Sequence, residues 1–227
     1  MVLPTSALTH KLDQVAVRNF RSQLGHRFPH EIVVLSGEFI AQFIYDLKRE
    51  NTWMNTIEIR LAKEEDAQFI ALLGRVTFTE TFGHLFRDQQ DLIDYYNSTF
   101  SVQKIEHGMK KQNNMFWIAF VNRLPVGYAK LKLNSKSEFI ESKDVCQLQK
   151  IYVLKDFLSM GIGFELQDAL LKEAKELGFK KVWLSVLNSN ERAINFYKKT
   201  GFENIGNHDF QIGKEHFEFT AMLKTLA

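Results

Sequence analysis

The chain has 227 residues, 45% of them hydrophobic and 25% charged, enough for one well-cored globular domain with an addition. Its 20 phenylalanines against 3 prolines exclude a disordered chain. A net charge of +2 announces no nucleic-acid or membrane partner, and basic pairs such as Lys110-Lys111 and Lys198-Lys199 read as solvated helix faces. The single cysteine, Cys146, cannot close an internal disulfide. It lies in an apolar stretch and reads as a small core residue in a reducing compartment, with the cytoplasm as the expected location.

Taken in chain order, residues 1–54 come first. They carry apolar positions such as Ile32, Val33, Phe39 and Phe43 but no complete set of elements that would close a core. Ile32 to Tyr45 is broken by Ser36, Glu38 and Gln42 and is too short to span a bilayer. Met1 is followed by neither a charged region nor the apolar run of a signal peptide. These residues are expected to be an N-terminal extension, arising from an upstream start or an addition. A regulatory or dimerising appendage, and with it a homodimer, is the alternative.

From Met54 to Ala62 apolar and polar residues alternate, as in a half-buried strand. Lys63 to Asp66 then opens a helix with acidic residues in its first turn, continued by Phe69, Ile70, Leu72, Leu73 and Val76. Asp91 to Tyr96 and Val102 to Lys111 read as shorter helical pieces. Strands are expected at Met115 to Val121 and Val126 to Leu133, joined by a turn over Asn122 to Pro125, and at Val145 to Leu154. Ile162 to Leu177 is an amphipathic helix with Gly178 at its C-cap. A strand over Lys181 to Leu187 and a helix over Glu191 to Thr200 follow, and Phe202 to Phe210 with Phe217 to Leu223 form a closing antiparallel pair.

The informative stretch runs from Gln149 to Leu166: a strand, a loop with Gly161 and Gly163, and the start of a helix. Such a turn leaves backbone N–H groups unpaired at the positive end of a helix dipole, which suits an anion such as a pyrophosphate. Leu166 stands where a dinucleotide fingerprint needs its third glycine, and the Gly-Lys-Ser/Thr ending of a P-loop is absent. About 27 residues after Gly163, beyond one strand, comes Asn190-Glu191-Arg192-Ala193-Ile194-Asn195-Phe196-Tyr197, closing on Gly201-Phe202.

Together, Ile151-Tyr152-Val153, the two-glycine loop and the Asn190 to Phe202 segment resemble the GNAT acetyltransferase superfamily over residues 55 to 227. The resemblance implies an α/β GNAT fold, a mixed central sheet of about six to seven strands with helices on both faces. It implies acetyl-CoA as cosubstrate and an amine acceptor, with no metal. Ile151, Tyr152 and Val153 match the strand edge that holds the pantetheine arm and polarises the acetyl carbonyl. Ser159, Met160, Gly161, Ile162, Gly163 and Phe164 match the pyrophosphate loop, Asn190 a further cofactor contact, and Tyr197 the general acid for the departing thiolate. Leu158 replaces the Gln or Arg usual at the first loop position. Gln147 and Gln149 stand where family members often carry a carboxylate, so the base that takes the amine's proton is not evident. Glu80, Asp88, Glu138 or a water are the candidates.

A finer resemblance, to the PaiA-like polyamine acetyltransferases, is carried by Thr77-Phe78-Thr79-Glu80-Thr81-Phe82, by Pro125 to Leu131 and by Gly206, His208 and Phe210. It implies spermidine or spermine as the small-molecule acceptor, selected by acidic residues near the site mouth. A regulatory acetyl-CoA binder that has lost catalysis, and a protein lysine or N-terminal acetyltransferase, are the competing expectations. Deleting residues 1–53 is expected to leave a folded, active enzyme; loss of its cooperative thermal transition would show instead that Phe39, Phe43 and their neighbours complete a core or a dimer interface.

Overall fold

The computed structural model describes residues 56–142 and 144–226, which belong to a compact unit beginning at Thr56. The expected N-terminal extension, 1–54, lies outside the described residues. Seven strands form one sheet: β1 (Ile57–Leu61), β2 (Asn114–Val121), β3 (Leu124–Lys132), β4 (Val145–Val153), β5 (Lys181–Leu187), β6 (Glu203–Ile212) and β7 (Glu215–Thr225). Their spatial order is β1-β2-β3-β4-β5-β7-β6, antiparallel everywhere except between β4 and β5. The mixed α/β sheet expected from the sequence is thus present, with seven strands.

Five helices flank it: α1 (Ala67–Phe82), α2 (Gln89–Thr99), α3 (Val102–Met109), α4 (Ile162–Glu176) and α5 (Glu191–Lys199). The acidic run Glu64–Asp66 forms a single 3-10 turn ahead of α1, because buried Asp66 accepts from the Lys63 amide and takes a two-pronged ion pair from Arg60. Both α1 and α4 lie against β3 and β4; α1 also packs on α3, whereas α4 reaches β1 and β2. Pro125 does not sit in the turn. Asn122 and Arg123, both at positive φ, make the two-residue reversal, and β3 already begins at Leu124.

Six of the 20 phenylalanines gather in one cluster. Phe78 and Phe82 of α1, Phe86, Leu92 of α2, Phe100, Leu187 of β5 and Phe217 of β7 pack together, with Tyr95, Tyr152 and Phe219 against them. Gly74 lets α1 close on Phe100, whose ring an added Cβ would meet head-on. Cys146 is fully buried and burial pushes its thiol up to about 12, as a core residue and not a nucleophile.

Candidate active site

The parallel seam between β4 and β5 is short. It holds for three residue pairs, Val145 with Lys181, Cys146 with Val182 and Gln147 with Trp183, and then the strands part. β4 keeps its pairing to β3 as far as Val153 opposite Gly127, but Gln149 is bulged out between Leu148 and Lys150. A bulge bends its strand and increases the local twist, which turns the rest of β4 away from β5. Beyond Gln147, the β5-facing polar groups of β4 therefore border an open cleft, and Ile151 to Val153 form its wall.

The loop at the end of that wall was expected to hold a pyrophosphate, and its geometry fits one. Gly161 is the N-cap of α4 in the left-handed region at φ +78, a conformation other residues adopt at a cost. No atom lies within 4 Å of a Cβ built on Gly161 or Gly163, so both glycines face open space. Phe164 and Glu165 donate to Gly161 O, but among the described residues the amides of Ser159, Gly161, Ile162 and Gly163 have no acceptor. Four free donors beside a helix N-terminus are the environment of a multiply charged anion. Glu80 fastens the loop's entry, its Oε2 accepting from the Lys155 amide at 3.1 Å.

Asn190 caps α5, its side-chain oxygen accepting from the Ala193 amide at 3.1 Å. The sequence reading assigned it to the cofactor alone; the structure gives that oxygen a task within the fold. Seven residues on, Tyr197 is buried, its ring 5.2 Å from that of Phe196 and 5.6 Å from that of Phe202. Its hydroxyl has no hydrogen-bond partner among the described residues and is not sealed from solvent, in contrast with Tyr128, whose hydroxyl is both sealed and unpartnered. Burial pushes Tyr197 well above the ordinary tyrosine range, so it remains a proton donor at neutral pH. It also lies close enough to Tyr152 for its charge to raise that residue, which puts the expected acid beside the expected cofactor edge.

The proposed bases fare differently. Asp88 is engaged at the tip of the β6–β7 hairpin, where the Lys214 ammonium at 2.7 Å holds its carboxylate below the usual range. Arg87 grips Glu215 there through two nitrogens, and Gly213 sits where any Cβ would collide with Asp91. Glu138 is exposed in the loop between β3 and β4. Glu80 is raised by burial, and its amide bond to Lys155 opposes that.

Sequence reasoning passed over two features of the face that carries Tyr152. Ser185 precedes Leu187 by two residues on β5, and Leu187 packs in the Tyr152 cluster, so Ser185 shares this face. Its hydroxyl lies 2.8 Å from His208 Nε2, and the imidazole stacks on Phe219. One polar residue in the otherwise apolar run Val182 to Leu187 was the available signal.

The second feature is a pair of lysines. Lys130 and Lys150 stand directly opposite each other on β3 and β4, each half-buried. Burial holds both down at about 8, helped at Lys150 by Lys130 and at Lys130 by Lys132, Lys111 and Lys104. Because the folded value lies below that of the unfolded chain, about 10.4, the unfolded state binds more protons between the two. The penalty is therefore fully present below about 8 and fades as pH rises toward about 10.4. Lys150→Met is expected to raise Tm at pH 7 by on the order of 3 °C, a gain that vanishes in melts near pH 10. An unchanged or lower Tm at pH 7 would show that the ammonium is stabilised where it is.

Residues 76–202 match the model of the Acetyltransferase (GNAT) family. An uncharacterized N-acetyltransferase of Lactobacillus delbrueckii subsp. lactis is 25% identical over 162 residues, 71% of this chain and 93% of that one. One of Methanocaldococcus jannaschii is 38% identical over 95 residues, 42% of each chain. Among solved structures, the PaiA N-acetyltransferase of Thermoplasma acidophilum in complex with coenzyme A superposes with a TM-score of 0.60 at 21% identity, covering 75% of this chain and 99% of that one. The match runs from within α1 to just past α5 and so takes in the cleft, the loop and Tyr197: the chain belongs to the acetyltransferase (GNAT) family and is an acetyl-CoA-dependent N-acetyltransferase.

Proposed function

We propose that the protein moves the acetyl group directly to a primary amine held on the Tyr152 face of the β4–β5 cleft. The observation that supports this most is the convergence of an open strand edge, a cradle of four unpaired amides and the hydroxyl of a buried tyrosine. When bound, acetyl-CoA supplies an activated thioester. The chain's own residues hold and orient it: Ile151, Tyr152 and Val153 through the strand edge, and Ser159 to Phe164 through loop amides and the dipole of α4. Asn190 retains its amide nitrogen for a cofactor contact while its oxygen caps α5. Tyr197 delivers a proton to the departing sulfur. For the proton leaving the amine, His208 offers a ring nitrogen, the other being fixed by Ser185.

The polyamine acceptor implied by the PaiA-like motifs asks for free carboxylates near the mouth. Asp88 and Glu215 carry charge at the hairpin tip, but each is already paired with Lys214 or Arg87. Calorimetric titration with acetyl-CoA, followed by thiol release over amines, amino acids and peptides, tests the reading. Tight binding without thiol release from any acceptor would favour a regulatory binder, and release only with peptides a protein acetyltransferase.

A further inference from the structure

Three hydrogen-bond donors without acceptors share one face of β3 and β4. Tyr128, Lys130, Lys150 and Tyr152 project to the same side, since Lys130 opposes Lys150 and Tyr128 opposes Tyr152 in register. Lys150 Nζ stands 4.9 Å from the ring centroid of Phe100 and 5.2 Å from that of Tyr152; Lys130 Nζ stands 5.2 Å from that of Phe116. Neither ammonium has a carboxylate or any hydrogen-bond acceptor among the described residues, and the Tyr128 hydroxyl, fully buried, has none either.

Aromatic faces offset part of the cost of burying a cation, but two half-buried ammonium groups side by side repel, and a buried donor left unpaired loses the free energy of its hydration. The same deficit recurs outward, where Lys104, Lys111 and Lys132 all act on Lys130 in the same sense. The surroundings of Lys130 are thus positive, a field that draws anions in and turns polycations away.

Resting on the acyl-transfer reading above, we infer that the acceptor is a small amine that also carries a carboxylate, an amino acid in chemical class, and that Lys150 and Lys130 bind that carboxylate while the amine faces the cleft. Lys150 is well placed for this. It is the residue between the bulge at Gln149 and the cofactor edge at Ile151, so a carboxylate on its ammonium sets the amine a few bonds away toward the thioester site. A carboxylate also supplies the acceptors that both lysines lack, and its charge would raise their affinity for protons.

The test has two arms on the full chain. In turnover, thiol release is compared for amino acids, the corresponding amino acid amides, and spermidine. The acids are expected to exceed their amides about tenfold to a hundredfold in kcat/KM, and spermidine to be the poorest. Lys150→Met should abolish the preference for the acid over its amide, with the loss falling on KM. In equilibrium binding, which needs no catalysis, N-acetyl amino acids should bind the wild type and lose affinity by a similar factor in Lys150→Met, whereas N-acetyl amino acid amides should bind both alike. Amides used as well as acids, spermidine preferred, or product affinity indifferent to Lys150 would each overturn the inference. Lys150-dependent binding of N-acetyl amino acids without thiol release from any acceptor would uphold the carboxylate site and overturn the transferase reading instead.

Discussion

Tyr197→Phe is expected to lower the single-turnover rate of acetyl transfer by about 10²–10⁴-fold, the usual worth of a positioned general acid. The ring is held between Phe196 and Phe202, and a phenylalanine keeps both contacts. The hydroxyl bonds to nothing among the described residues, so its removal strands no partner. Acetyl-CoA affinity and thermal stability should therefore stay near wild type. What disappears is an interaction made as negative charge develops on sulfur, one that matters in the transition state and hardly in the ground state. Burial makes Tyr197 a weaker acid than free tyrosine, so the transfer depends on the thiolate sharing the same dry surroundings. The deficit should shrink at low pH, where solvent protonates the thiolate more readily. Rates within about twofold of wild type, measured by rapid quench, would reduce Tyr197 to a packing residue.

Gly163→Val is expected to weaken acetyl-CoA at least tenfold in a calorimetric titration, an effect of about 1.4 kcal/mol or more. The site separates ligand clash from damage to the fold unusually well. Gly163 is the second residue of α4, and nothing in the protein comes within 4 Å of an added Cβ. The variant's own loss is the lower helix propensity of a β-branched side chain, offset by the removal of a flexible glycine. Gly161→Val should weaken binding at least as much, but at φ +78 it also strains the backbone by about 1–2 kcal/mol. A folded Gly163→Val protein that binds like wild type would remove the loop from the anion site.

Strand and helix positions were legible because each element's apolar spacing is local. Ile162 to Glu176 and Lys181 to Leu187 form nearly as their periodicity dictates. Pairing is not local. The parting of β4 from β5 after Gln147 depends on partners 36 residues further on, and the bulge at Gln149 on pairing with β3 17 to 20 residues back, so β4's own residues spell out neither. Tyr197 and the glycine loop could be proposed from the sequence because their chemistry needs fixed residue types at fixed spacing. Lys130 and Lys150 could not. In sequence each is one more charged residue on an alternating strand, and only the register that sets them face to face makes them a pair. Asn190 shows a different limit: a residue with one expected role also satisfies a helix end.

The three-rung seam between β4 and β5 bears on how the molecule breathes. Across it the sheet divides into β1–β4 and β5–β7, and the second half is otherwise knit by the long β5–β7 and β6–β7 ladders. Amide protons along the β5-facing edge of β4 beyond Gln147 have no ladder to shelter them, whereas their neighbours bonded to β3 do. Deuterium should enter that edge in an early phase, well ahead of the rest of the strand, and saturating coenzyme A should slow it selectively. The fold thus leaves a strand half unzipped, with the edge proposed for the cosubstrate left free.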